Sequence, residues 1–114
     1  MFKRENRLVP GINFRDSYSL SIPQFIFKQK KNWLMRNRFG VVVSKKVDKR
    51  AVVRNKIKRI FRSSLGDLNK NMSSGHDILF IVRLGIINKT KEEIYILIKE
   101  ALEKAGFMKM RSEK

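Results

Sequence analysis

A chain of 114 residues fits one domain, and its 42% hydrophobic content with eight Phe is enough for one modest core, which excludes a disordered basic tail. Lys and Arg number 27 against 10 Asp and Glu, a formal net charge of +17. A compact chain so charged repels itself unless a polyanion neutralises it, so nucleic acid is the leading partner and an anionic membrane surface the second.

The absence of cysteine excludes a disulfide framework and a Cys-based zinc site. The basic start Met1-Phe2-Lys3-Arg4 leads into no apolar stretch of signal-peptide length. The longest apolar run, Ile78 to Val82, is far short of the roughly 20 residues that span a bilayer. A cytoplasmic protein with no membrane partner is expected, as one domain over residues 1–114 with flexible ends at 1–10 and 108–114.

Along the chain, Phe14 and Tyr18 are four apart and would share a face on a short helix bracketed by Pro10-Gly11 and Pro23. Gln24 to Lys28 reads as a strand, with a turn at Lys30-Lys31-Asn32. Arg38 to Ser44 is a stronger strand: Phe39, Val41 and Val43 alternate with the small face Gly40, Val42 and Ser44, which suits a close neighbour or a ligand. From about Ala51 to Leu68 the period becomes helical, with Val53, Ile57, Ile60, Phe61 and Leu65 on one stripe. Asn55, Arg59 and Arg62 fall opposite that stripe, flanked by Lys56 and Lys58.

After a polar loop over residues 69–75, Asp77 to Arg83 predicts a central strand buried on both faces, in parallel or mixed pairing. Thr90 and Glu93 form a capping box at the start of a last helix. Its apolar face is Ile94, Leu97, Ile98, Ala101, Leu102 and Ala105, and Gly106 fits its stop. The order of elements gives an α+β protein, a two-layer α/β sandwich.

Positive charge is concentrated. Lys45, Lys46, Lys49, Arg50, Arg54, Lys56, Lys58, Arg59 and Arg62 lie within 18 positions that hold one acid, Asp48. An even spread would put about four cations there. With almost no acids to form i, i+4 pairs, a merely solvated face is the weaker reading and a phosphate-binding helix the stronger. His76, at a loop-to-strand junction, reads more simply as a turn residue than as a catalytic base. Phe14, Tyr18, Phe25 and Phe27 read as core first and as base-stacking platforms second. No metal-ligand spacing or Gly-rich phosphate loop occurs.

The stretch Arg38-Phe39-Gly40-Val41-Val42-Val43-Ser44-Lys45-Lys46-Val47, followed by Ala51 to Arg62 with Arg54-Asn55-Lys56-Ile57-Lys58-Arg59, closely resembles the signature of bacterial ribonuclease P proteins. Asn6-Arg7-Leu8, the pair Phe14 and Tyr18, and Gln24-Phe25 agree more loosely, and Asp48 stands where the family often has a small residue. The resemblance implies a ribosomal protein S5 domain 2-like sandwich with a left-handed βαβ crossover, an exception to the usual hand. It also implies a subunit without a catalytic centre of its own, one protein per catalytic RNA. The RNA and its Mg²⁺ would cut precursor tRNA to the mature 5′ end, and the protein would bind no cofactor itself.

Carried over by position, Lys45, Lys46, Arg50, Arg54, Asn55, Lys56, Lys58, Arg59 and Arg62 would contact the catalytic RNA. Phe14, Tyr18, Phe25 and Val41 would contact the 5′ leader. The rivals are a ribosomal or other basic RNA-binding module, a DNA-binding helix module, and a stand-alone nuclease, which would need an acidic metal cluster the sequence lacks.

Overall fold

The computed structural model describes residues 7–8 and 17–106. The expected flexible ends and the helix around Phe14 lie wholly or largely outside these residues. Four strands, β1 (Tyr18–Ser21), β2 (Phe25–Lys31), β3 (Arg38–Val42) and β4 (His76–Val82), form one sheet in the order β1-β2-β4-β3. Helix α1 (Ala51–Leu68) connects β3 to β4, and α2 (Lys91–Lys104) follows β4. β4 pairs antiparallel with β2 and parallel with β3, so the mixed pairing expected of a central strand is present.

Tyr18 corrects one expectation. It opens a strand, with its neighbours Ser19 and Leu20 paired to Lys28 and Phe27 of β2, so no helix runs on to Pro23. The alternation Tyr18, Leu20 against Ser19, Ser21 has a strand's period of two, and a tight turn at Pro23 closes the hairpin, where Ile22 N–H donates to the Phe25 carbonyl at 3.0 Å. The expected turn at Lys30-Lys31-Asn32 also moves, since β2 pairs with β4 through Lys31.

Phe25, Phe27, Phe39, Ile78, Phe80 and Val82 are buried on one face of the sheet, against Ile57, Phe61, Leu65 and Leu68 of α1 and Ile94, Ile98, Ala101 and Leu102 of α2. Phe80 is the hub: its ring centroid lies 5.0 Å from Phe25, 5.1 Å from Phe27 and 5.6 Å from Phe61. Such aromatic pairs add about 0.5–1.5 kcal/mol each beyond the area they bury. The other face of β4 is less covered than its apolar run predicts, because Leu79 and Ile81 are only half-buried.

α2 begins as its capping box predicts: Glu93 N–H donates to Thr90 Oγ1 at 3.1 Å, and Thr90 N–H to Glu93 Oε1 at 2.8 Å. It ends at Gly106, whose φ of 81° suits the left-handed residue that closes a helix.

Candidate nucleic-acid interface

The approach to α1 is tied into a fixed turn. Val47 is buried, and its N–H donates to the Ser44 carbonyl at 3.0 Å. The Asp48 carboxylate then accepts from the backbone N–H of Arg50 at 2.8 Å and from its Nε and Nη2, each at 3.0 Å. These Arg50 hydrogen bonds hold the Asp48 pKa down at about 2. Arg54 Nη1 donates to the carbonyls of Asp48 and Lys49, at 3.1 and 2.8 Å. Lys45, Lys46 and Lys49 are left exposed on this turn. The first turn of α1 contains no acid, so the partial positive charge of its free amides adds to theirs.

The nine cationic and amide positions singled out in the sequence gather on this turn and on the outward arc of α1. Lys45, Lys46, Arg50, Asn55, Lys56 and Arg59 are exposed. Lys58 and Arg62 are half-buried at the edge of the arc, a burial that long cationic side chains commonly reach by laying their stems on apolar surface with the charge in water. Arg54 is also half-buried and is a strut for the turn in the first place.

Among the described residues, Tyr18, Phe25 and Val41 do not form one exposed surface for the leader. Phe14 lies outside the described residues. Phe25 has no exposed surface and stacks edge-on against Phe61, so it is core and cannot touch a ligand. Val41 faces the same helical layer, packed against the core. Tyr18 stays partly exposed at the sheet's edge with its ring 6.1 Å from Phe27.

Among the described residues the opposite face of the sheet is the less covered one, and its side chains fall into rows fixed by register. Ser21, Ile26, Ile81 and Val42 make one row; Ser19, Lys28, Leu79 and Gly40 the next; Lys30, Asp77 and Arg38 a third. Leu8 leans over Gly40, where a Cβ would meet its Cδ2 at 3.0 Å, and Leu8 N–H donates to the Phe39 carbonyl at 2.8 Å. Val42 remains 45% exposed.

Sequence reasoning missed Tyr95, Ile96 and Asp67. The Tyr95 hydroxyl donates to Asp67 Oδ2 at 2.7 Å, and this bond raises the Tyr95 pKa. With Lys56, Arg59, Ser63 and others they line an open groove of about 860 Å³ between α1 and α2. The signal was present: Ile96 is an apolar residue off the buried stripe of α2 and stands 53% exposed.

An α+β sandwich with a basic helix on one side and a partly apolar, less covered sheet face on the other defines a polyanion-binding protein of mixed-sheet architecture. A sequence profile of the Ribonuclease P family matches residues 2–106, and the chain belongs to that family. A ribonuclease P protein component from Clostridium botulinum (strain 657 / Type Ba4) is 38% identical over 108 residues, covering 90% of this chain and 96% of that one. One from Clostridium acetobutylicum is 34% identical over 111 residues, covering 92% of each. Among solved structures, the Staphylococcus aureus RNase P protein superposes with a TM-score of 0.75 at 28% identity, over 83% of this chain and 86% of that one. The Thermotoga maritima RNase P protein does so with a TM-score of 0.73 at 25% identity, over 80% and 86%.

Proposed function

We propose that this chain acts in the cytoplasm, one copy per catalytic RNA, to promote removal of the 5′ leader from precursor tRNA, with the cleavage chemistry residing in the RNA and its Mg²⁺. The observation that carries the reading is the cluster of cations from Lys45 to Arg62 on one turn and the outward arc of α1. Its one acid, Asp48, is already paired to Arg50 at 3.0 Å. A helix face of this kind neutralises phosphates of two RNAs that would otherwise repel, so less Mg²⁺ is needed to hold them together. Contact with five or six phosphates corresponds to a log–log salt slope of about −5. The described residues gather no group of three His, Asp or Glu for a cation, and the reading assigns the ion to the RNA.

The leader, in this reading, lies on the open sheet face across Ile26, Ile81 and Val42, with Lys28 and Lys30 beside it. That face offers apolar surface to unstacked bases and cations to their phosphates. It replaces Phe25 and Val41 as the leader surface, because these two point into the helical layer.

The test is cleavage of precursor tRNA by a bacterial ribonuclease P RNA at low Mg²⁺, with and without the protein. Cleavage at the mature 5′ end that requires both components supports the proposal. Tight RNA binding without stimulation of a cognate RNA would return the chain to the general RNA-binding class.

A further inference from the structure

The groove between α1 and α2 is not explained by phosphate neutralisation. Its wall on α1 includes a stripe at helical spacing, Lys56, Arg59, Ser63 and Asp67, beside Ile60 and Ser64, which places two cations, a hydroxyl and a carboxylate in order along about 17 Å of helix. Its wall on α2 is Tyr95 and Ile96, with Lys91 and Glu92 at the rim offsetting one another in charge. The ring of Tyr95 is held in place by its 2.7 Å hydrogen bond to Asp67. A fixed aromatic beside an aliphatic side chain is a stacking platform for a base.

Asp67 narrows the choice of base. A carboxylate only accepts hydrogen bonds, and on a phosphate-binding surface it repels backbone while attracting a base edge that donates. Guanine alone presents two adjacent donors, N1–H and the N2 amino group, which match two carboxylate oxygens. Adenine and cytosine set an acceptor beside their amino group, and uracil flanks its one N–H with two carbonyls. A second copy of this chain is a poor occupant, since it would bring Lys56 and Arg59 of one molecule towards the +17 charge of another.

We infer that this groove takes one unpaired guanine of the catalytic RNA, stacked on Tyr95 and read at its donor edge by Asp67, with neighbouring phosphates on Arg59 and Lys56. The inference rests on the proposed ribonuclease P role and names a base-specific contact within it.

The test is chemical footprinting of a bacterial ribonuclease P RNA with a dicarbonyl reagent that attacks N1 and N2 of unpaired guanines, free and bound to the full chain. With wild-type protein, one guanine that reacts in free RNA becomes protected. Tyr95→Phe keeps the ring but loses its hydrogen bond to Asp67, so protection weakens less than in Tyr95→Leu. Tyr95→Leu and, separately, Asp67→Asn restore reactivity at that guanine alone and weaken RNA binding about tenfold. Asp67 and Ser63 are exposed, so Asp67→Asn and Ser63→Glu carry the test if Tyr95→Leu does not fold. Protection unchanged in the folded variants overturns the assignment, as does a change in self-association in place of a footprint change. Failure of the wild-type protein to promote cleavage would instead remove the ribonuclease P reading; stimulation with an unmoved footprint removes the groove assignment alone.

Discussion

Arg38 and Asp77, register partners across the parallel β3–β4 joint, face each other through two hydrogen bonds, Nε to Oδ1 and Nη2 to Oδ2, both 2.8 Å. Asp77 is buried, and its Oδ1 also accepts from Asn32 Nδ2 at 2.9 Å. Nearby, Asn37 is equally buried: its Nδ2 donates to the Ser73 carbonyl at 2.9 Å, and its Oδ1 accepts from His76 N–H at the same distance. These bonds fix the loop over residues 32–37 to the start of β4, at the end of the sheet where α1 returns.

Replacing Asp77 with Ala should therefore destabilise the fold by about 3 kcal/mol, because it strands a largely buried guanidinium. Burial pushes the Asp77 carboxyl up, but the hydrogen bonds from Arg38 and Asn32 more than offset it, and its pKa is net lowered. A lowered folded pKa stabilises fully above the unfolded value of about 3.9 and is lost as pH falls below it. Urea unfolding at pH 7 and pH 3 should show a gap between wild type and Asp77→Ala that narrows in acid. A gap independent of pH would mean the carboxylate charge is not what holds the joint.

Asp48→Ala should strengthen RNA binding at low salt by a few-fold. It removes one negative charge and releases the Arg50 guanidinium, making the salt slope steeper by about 1. Filter binding over a salt series reads both quantities. Weaker binding would show that the Asp48–Arg50 turn matters more as a shape than as a sink for charge.

Phe25→Ala and Val42→Asp separate core from leader surface. The first deletes a fully buried ring from the Phe80 cluster and should cost about 3–5 kcal/mol. The second alters an exposed residue on the open face and should leave the unfolding midpoint nearly unchanged. Val42→Asp should weaken binding of precursor tRNA while leaving the affinity for leaderless tRNA intact. Equal losses for both RNAs would move the leader off this face.

Helices α1 and α2 were legible in the sequence because their signals are local. The 3.6-residue stripe Ile57, Phe61, Leu65 and the Thr90–Glu93 box each act within one or two turns. The Arg38–Asp77 pairing was not, since it joins residues 39 apart and depends on a register no short motif encodes. Phe25 reads as core first and lies there; what the structure overturns is the leader role carried over by position, since the side of the sheet an aromatic occupies decides between core and stacking surface. Tyr95 lay hidden because it sits on α2, the near-neutral helix, and gains its place only when that helix packs beside α1.

The most direct test of the central claim is the affinity of Arg59→Glu/Arg62→Glu for ribonuclease P RNA, measured by equilibrium binding across salt concentrations. The account predicts a loss of at least about tenfold at physiological salt and a slope shallower by about 2, one for each cation removed. Wild-type affinity and slope in a folded double variant would contradict it, and α1 would no longer be the RNA-binding face.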